Sequence, residues 1–261
     1  MHTIWKGSIS FGLVNIPIKM YAATEEKTIR FRSLHRKCQT PIQMERTCPH
    51  CKQEVPWSEV VKGYEYEPDS FVIMEKEELE NLLPDQGKTI EIIDFVHLDE
   101  IDPIYFQKTY YLGSQDAKSK AYVLLRQALQ ESKKIAIAQV TIRSKQTLAA
   151  IRVYNDCLVL ETIFYPDEVR DVGLVPDVPK DIAIQEREVA IANQLIEQLT
   201  TTFDPNKYQD DYRIALESAI EQKIQGKEVV EVKQVRKEKV VDLMEALQAS
   251  LEAAKKEKKV M

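Results

Sequence analysis

The 261-residue chain is short of the features that would make it flexible, membrane-bound or cross-linked. Seven glycines, eleven prolines and no low-complexity tract leave little room for long linkers, so most of the chain should be ordered. Disorder is expected only at the extreme C-terminus. No run approaches the roughly 18 apolar residues that a membrane span needs. His2, Lys6, Ser8 and Ser10 interrupt the first ten residues, so no leader is read there and a cytosolic protein is expected. Four unevenly spaced cysteines are poor evidence for disulfides in such a chain and point to metal or core roles. Catalytic signatures are missing too: there is no phosphate-binding glycine loop, no G-x-S-x-G elbow, no H-E-x-x-H and no nucleotide-transfer lysine motif of the ligase type. A binding module, not an enzyme, is expected.

What is present is enough for a real core, 44% hydrophobic residues, and an uneven distribution of charge. The net charge of −6 conceals alternating blocks: +5 over residues 1–63, −11 over 64–116, +6 over 117–157, −9 over 158–232 and +3 over 233–261. Such blocks can simply be solvated faces. Two separate basic segments fit a second reading, in which an acidic outer surface surrounds a basic one that concentrates phosphate binding in one place.

The first two thirds read mainly as β-structure. Thr3 to Phe11 and Leu13 to Tyr21 flank Gly12 as a hairpin. Further strand-like runs are Ile29 to Leu34, Ile90 to Leu98 and Ile104 to Leu112. A meander follows over Ile135 to Arg143, Leu148 to Tyr154 and Leu158 to Tyr165, with Ser144-Lys145 and Asn155-Asp156 as turns. Many strands on short connections favour a barrel. Helices are expected over Glu75 to Leu83, Ala117 to Gln130, Gln185 to Leu199, Pro205 to Gln225 with Asp204 as N-cap, and Lys239 to about Lys256. The result is a mixed α+β chain ending in a basic tail.

The sharpest local signal is His35-x2-Cys38 followed by Cys48-Pro49-His50-Cys51, two pairs whose spacing suits a tetrahedral structural zinc site. His35 is at knuckle spacing from Cys38, whereas His50 sits between the two cysteines of its own pair. His35, Cys38, Cys48 and Cys51 are therefore the expected ligands, with His50 as the alternative to His35. Free thiols beside a chance histidine are the plain alternative to any metal. Cys157 reads as a core residue.

Trp5-Lys6-Gly7-Ser8-Ile9-Ser10-Phe11-Gly12-Leu13-Val14-Asn15-Ile16-Pro17 resembles the opening signature of bacterial Ku proteins. The resemblance continues through Lys62-Gly63-Tyr64-Glu65-Tyr66, Lys120-Ala121-Tyr122-Val123-Leu124-Leu125, Leu160-Glu161-Thr162-Ile163-Phe164-Tyr165 to Glu168-Val169-Arg170, and Phe203-Asp204-Pro205 to Tyr208, collinear from Thr3 to about Lys227. It implies a β-barrel core bearing a DNA-encircling arch, a homodimer whose arches close a ring, and a helical C-terminal region that contacts the multifunctional end-joining ligase. On that basis residues 1–232 are expected to form the core, with a zinc-knuckle insertion at 35–51, and residues 233–261 a C-terminal amphipathic helix and basic tail, the helix either docking the ligase or packed on its own domain. The cysteine set is no part of the resemblance, so zinc is expected as structural support and not as a requirement of DNA binding.

The implied function is sequence-independent binding of double-stranded DNA ends in double-strand break repair, with recruitment of the ligase by a cytoplasmic, nucleoid-associated homodimer. Size agrees independently. A compact chain of 261 residues has a radius of gyration of roughly 18 Å, too small to wrap a duplex alone and keep a continuous core. Ring binding calls for cations that follow phosphates without reading bases. The candidates are Arg30, Arg32, Lys118, Lys120, Arg126, Lys133, Lys134, Arg143, Lys145 and Arg152, about half of them expected to face DNA. Two rivals stand beside this reading. One is a lyase whose desolvated lysine forms a Schiff base with an abasic sugar near a DNA end. The other is a zinc-dependent regulator reading base sequence, for which no recognition helix is found.

Overall fold

The computed structural model describes residues 1–82, 88–142, 145–180, 182–226 and 243–258. The chain divides into two compact units, Met1–Leu174 and Val175–Met261. The core boundary expected at 232/233 lies outside the described residues.

The first unit is built on a closed barrel. Its strands are β1 (Thr3–Phe11), β2 (Val14–Ala22), β5 (Thr89–His97), β6 (Phe106–Ser114), β7 (Lys134–Ile142), β8 (Lys145–Tyr154) and β9 (Cys157–Ile163), in the order β1-β2-β6-β9-β8-β7-β5. The expected meander is β7 to β9, joined by antiparallel pairings such as Ala138↔Ala149 and Ile151↔Leu160. Asn155 turns the second connection with a positive φ of 53°, a conformation asparagine tolerates better than most residues.

Closure comes from a short parallel seam in which Ser8, Ile9 and Ser10 pair with Thr89, Ile90 and Glu91. Gly7 borders that seam. A β-carbon there would lie 1.9 Å from the Lys88 carbonyl oxygen and 2.2 Å from the Trp5 ring, so the backbones can approach only because position 7 has no side chain.

Alternation along the strands sends Ile9, Ile16, Ile18, Met20, Ile90, Leu112, Ile151, Leu158 and Leu160 into the barrel, all fully buried. Helix α2 (Lys120–Ser132) adds Tyr122, Leu125 and Leu129 to the same core. Small residues at Ala138 and Ala149 leave room for it. Ser119 caps α2 by accepting a hydrogen bond from the Tyr122 N–H, and Lys133 ends it in the left-handed region. The Tyr122 hydroxyl donates to the Leu112 carbonyl at 2.6 Å and accepts from the Leu158 N–H at 2.9 Å. It ties the helix to both strands of the β6–β9 pair. A second cluster, Ile135, Ala150 and Ile163 with Val96, Ile101, Tyr105 and Phe106, fills the opposite face of the meander.

Between β2 and β5 the chain leaves the barrel as an arm. It contains two small turns at residues 33–55, a ribbon of β3 (Lys62–Glu67) and β4 (Ser70–Met74), and helix α1 (Lys76–Asn81). The strand expected over Ile29 to Leu34 is not formed. Only Leu34 bridges, to Pro41, because the run meets no partner strand to satisfy its backbone. Conversely, β3 and β4 were not expected as strands, although Tyr64-Glu65-Tyr66-Glu67, Pro68-Asp69 and Phe71-Val72-Ile73 carry alternation and a turn signal.

In the second unit α3 (Glu186–Leu199) contacts α5 (Leu243–Lys258), and Leu251 is buried. The helix expected from Pro205 is divided. Asp204 caps only a 3-10 turn at Pro205–Lys207, and α4 (Asp211–Ile224) starts after a separate cap, Asp210, which accepts from the Arg213 N–H at 3.0 Å. Residues 239–242 of the expected last helix, and the tail beyond Lys258, lie outside the described residues.

Candidate nucleic-acid interface

The ten candidate cations separate by what they already hold. Arg152 on β8 makes two hydrogen bonds to Glu161 on β9, at 2.9 and 2.6 Å. This fork raises the affinity of the guanidinium for its proton and occupies the donors that would meet a phosphate. Arg126 donates to the Asp156 carbonyl at 2.6 Å and lies 3.8 Å from that residue's carboxylate. Lys145 pairs with Glu168 at 3.0 Å, and the Tyr165 N–H together with Lys145 pulls that carboxyl below its usual range. Arg143 lies outside the described residues.

The remaining six, Arg30, Arg32, Lys118, Lys120, Lys133 and Lys134, are exposed and carry no ion pair among the described residues. Four of them mark the two ends of α2. The thirteen residues of α2, from Lys120 to Ser132, set Lys118 and Lys120 about 20 Å from Lys133 and Lys134, so these are two separate basic points and not one patch. Lys118 and Lys120 add to the positive end of the helix. Arg30 and Arg32 belong to the arm. The Schiff-base rival needs a lysine removed from water, whereas Lys118, Lys120, Lys133, Lys134 and Lys145 are all exposed.

The cysteine-bearing turns repeat one another at an offset of 13 residues, 35 to 48 and 38 to 51. In the first, the His35 N–H donates to the Thr40 carbonyl at 2.9 Å and the Gln39 N–H to His35 at 2.7 Å. In the second, Cys48 donates to Gln53 at 2.9 Å and Lys52 to Cys48 at 2.8 Å. Gln39 and Lys52 share φ near 55°, and each turn is closed by a bridge, Leu34↔Pro41 and Thr47↔Glu54.

Within the turns, His35 Nδ1 lies 3.0 Å from Cys38 Sγ, and the Cys51 N–H points to Cys48 Sγ at 3.5 Å. Hydrogen bonds from Thr40 and His35 bring the Cys38 thiol down to about 7. The backbone N–H groups of Cys51 and His50 lower Cys48, while Cys51, beside Cys48, is raised. His50 Nδ1 is 3.9 Å from Cys51 Sγ. The structure thus places His35 beside Cys38 and Cys48 beside Cys51 but does not assemble the expected foursome: among the described residues no three His, Cys, Asp or Glu side chains converge. Cys157 is half-buried against the Leu112 carbonyl and the Tyr122 hydroxyl, as expected of a packing residue.

The feature that residue-by-residue reading missed is the ribbon. Tyr64 and Phe71 are 69% and 59% exposed, and Tyr66, Val72 and Ile73 are exposed as well. Apolar groups lie on both faces, and no buried residue occurs between residues 24 and 82. An isolated two-stranded ribbon is marginal in water, so this one carries apolar surface suited to a partner.

A closed barrel that extrudes such an arm between β2 and β5 defines the class, and the family model described as the Ku70/Ku80 beta-barrel domain matches residues 10–193. The non-homologous end joining protein Ku of Bacillus subtilis is 49% identical over 259 residues, covering 98% of this chain and 83% of that protein. The protein of the same name from Heliobacterium modesticaldum is 47% identical over 260 residues, 99% of this chain and 94% of its own length. That from Desulfitobacterium hafniense is 47% identical over 252 residues, 96% and 87% respectively. The chain belongs to the Ku family. No helix among the described residues is long and apolar enough to cross a membrane.

Proposed function

We propose that this protein is a non-enzymatic component of non-homologous end joining that binds double-stranded DNA ends without regard to sequence. It acts as a homodimeric ring and recruits and stimulates the end-joining ligase, in the cytoplasm and associated with the nucleoid. Near full-length identity to relatives named for end joining carries the reading. The uncovered ribbon supports the dimer, because a second copy of the same apolar ribbon would bury both. Arg30, Arg32, Lys118, Lys120, Lys133 and Lys134 are the phosphate contacts, since binding through them costs no ion pair found among the described residues. The segment from Val232 to Met261 is the ligase-facing part.

A structural zinc ion belongs to the same proposal, held by His35, Cys38, Cys48 and Cys51. The 13-residue pseudo-repeat supports His35 over His50, because His35 occupies the position that Cys48 holds in the second turn. The ion would join two turns that no buried side chain holds together.

A stable ring loads only where a duplex stops. In competition at equal nucleotide concentration, unlabelled linear duplex should displace labelled linear DNA and a covalently closed circle should not. Equal competition by the circle would show binding to the sides of DNA and end the ring reading.

A further inference from the structure

The strip from Lys27 to Lys37 has five basic and no acidic side chains. It forms neither strand nor helix over residues 27–33, and every side chain in it is exposed except Ile29, which is half-buried. Lys27 is paired with Glu25, whereas Arg30, Arg32, Arg36 and Lys37 carry no ion pair among the described residues. In the middle of this charge stands Phe31, 71% exposed. A hydrophobic ring so placed contributes nothing to a core. Covering the strip with the same strip of a second copy would set two strongly positive runs against each other. Double-stranded DNA would satisfy the arginines but would leave Phe31 in water, because paired bases keep their faces stacked inside the duplex.

Unpaired nucleotides match both features, offering phosphates to the arginines and a base face to the ring. The residues flanking the second turn form another platform of the same chemistry. Trp57 is 71% exposed, and the Arg46 guanidinium lies 3.9 Å over its ring.

We propose that residues 27–37 form a single-strand-binding strip that holds the unpaired tail of a DNA end, with Phe31 as stacking platform and Arg30 and Arg32, the phosphate contacts at the duplex end, following the backbone of the one strand that continues past it. This rests on the end-binding reading and extends it to the class of end, one with an overhang. Stacking on a ring and contact with phosphates read no base edge, so the strip holds the tail without requiring any base sequence.

The test measures affinity of the full chain, by fluorescence anisotropy, for a blunt duplex and for the same duplex with a tail of about ten thymidines. The tail should improve affinity on the order of tenfold, the worth of about one stacked base. Phe31→Ala should abolish that gain while leaving blunt-duplex affinity and the salt dependence of binding unchanged, and Phe31→Tyr should restore it. No gain from the tail, or a full gain in Phe31→Ala, overturns the strip. Tail binding without any binding of blunt duplex would instead sink the duplex-end reading and leave the strip standing.

Discussion

The barrel and the arm belong to one compact unit and follow opposite rules. In the barrel nine large side chains, from Ile9 to Leu160, are fully buried, and α2 completes their packing. In the arm, residues 24–82 bury nothing while Phe31, Trp57, Tyr64, Tyr66 and Phe71 face outward. Burying a large apolar side chain is worth about 1.5–3 kcal/mol, so the barrel holds itself together and the arm gains that stabilisation only from something outside it. The difference teaches where the function lies. A self-sufficient scaffold can carry a segment that leaves its apolar side chains in water, and such exposure is what a binding surface looks like before it is occupied.

The largest effect expected on this contrast is at the seam. Gly7→Ala forces a β-carbon against a backbone carbonyl that cannot move without opening the β1–β5 pairing. A loss on the order of 3 kcal/mol is expected, with a clear fall in Tm of the whole first unit. Denaturant unfolding measures it, and an unchanged midpoint would mean that the seam does not close the barrel.

Next comes Tyr122→Phe, which removes a hydroxyl serving the Leu112 carbonyl and the Leu158 N–H at once. Burial pushes that hydroxyl up to about 12, so it remains a neutral donor at any pH where the protein is studied. Deleting it leaves two backbone groups short of a partner, at about 1–3 kcal/mol. Because the loss is in the barrel, DNA affinity measured well below Tm should stay the same.

The smallest effect on global stability is expected from Cys48→Ser or from chelation, since the cysteine turns contribute nothing to the barrel core. Protein purified without chelators should contain one zinc ion per chain by elemental analysis. The variant should lose it and become sensitive to proteolysis between residues 33 and 55, with the barrel Tm unmoved. Less than half an equivalent of zinc in the wild-type protein would remove the metal from the proposal, and a large fall in barrel Tm would break the contrast between the two regions.

Local patterns were legible wherever the physics is local. Alternating apolar residues in β7 to β9, the amphipathic run of α2 and the spacing of the cysteine turns each follow from one stretch of chain. The candidate interface was legible only as charge. Arg152 and Arg126 looked like Arg30 and Arg32 in the sequence, but Glu161 and Asp156 reach the first two across neighbouring elements. Charge type is written in the residue; whether it is already neutralised depends on a partner elsewhere in the chain.

By itself, then, the sequence determined the barrel's strand content, the amphipathic helix between β6 and β7, the paired cysteine turns and the supply of positive charge, because periodicity, capping and turn chemistry act over a few residues. Only the tertiary structure decided that Ile29 to Leu34 pairs with no strand among the described residues, that Ser8 to Ser10 close the barrel against Thr89 to Glu91, and that six of the candidate cations carry no ion pair among the described residues. Strand pairing and charge neutralisation both join groups far apart in the chain, and their outcome is set by which surfaces the closed barrel brings together and which it leaves in water.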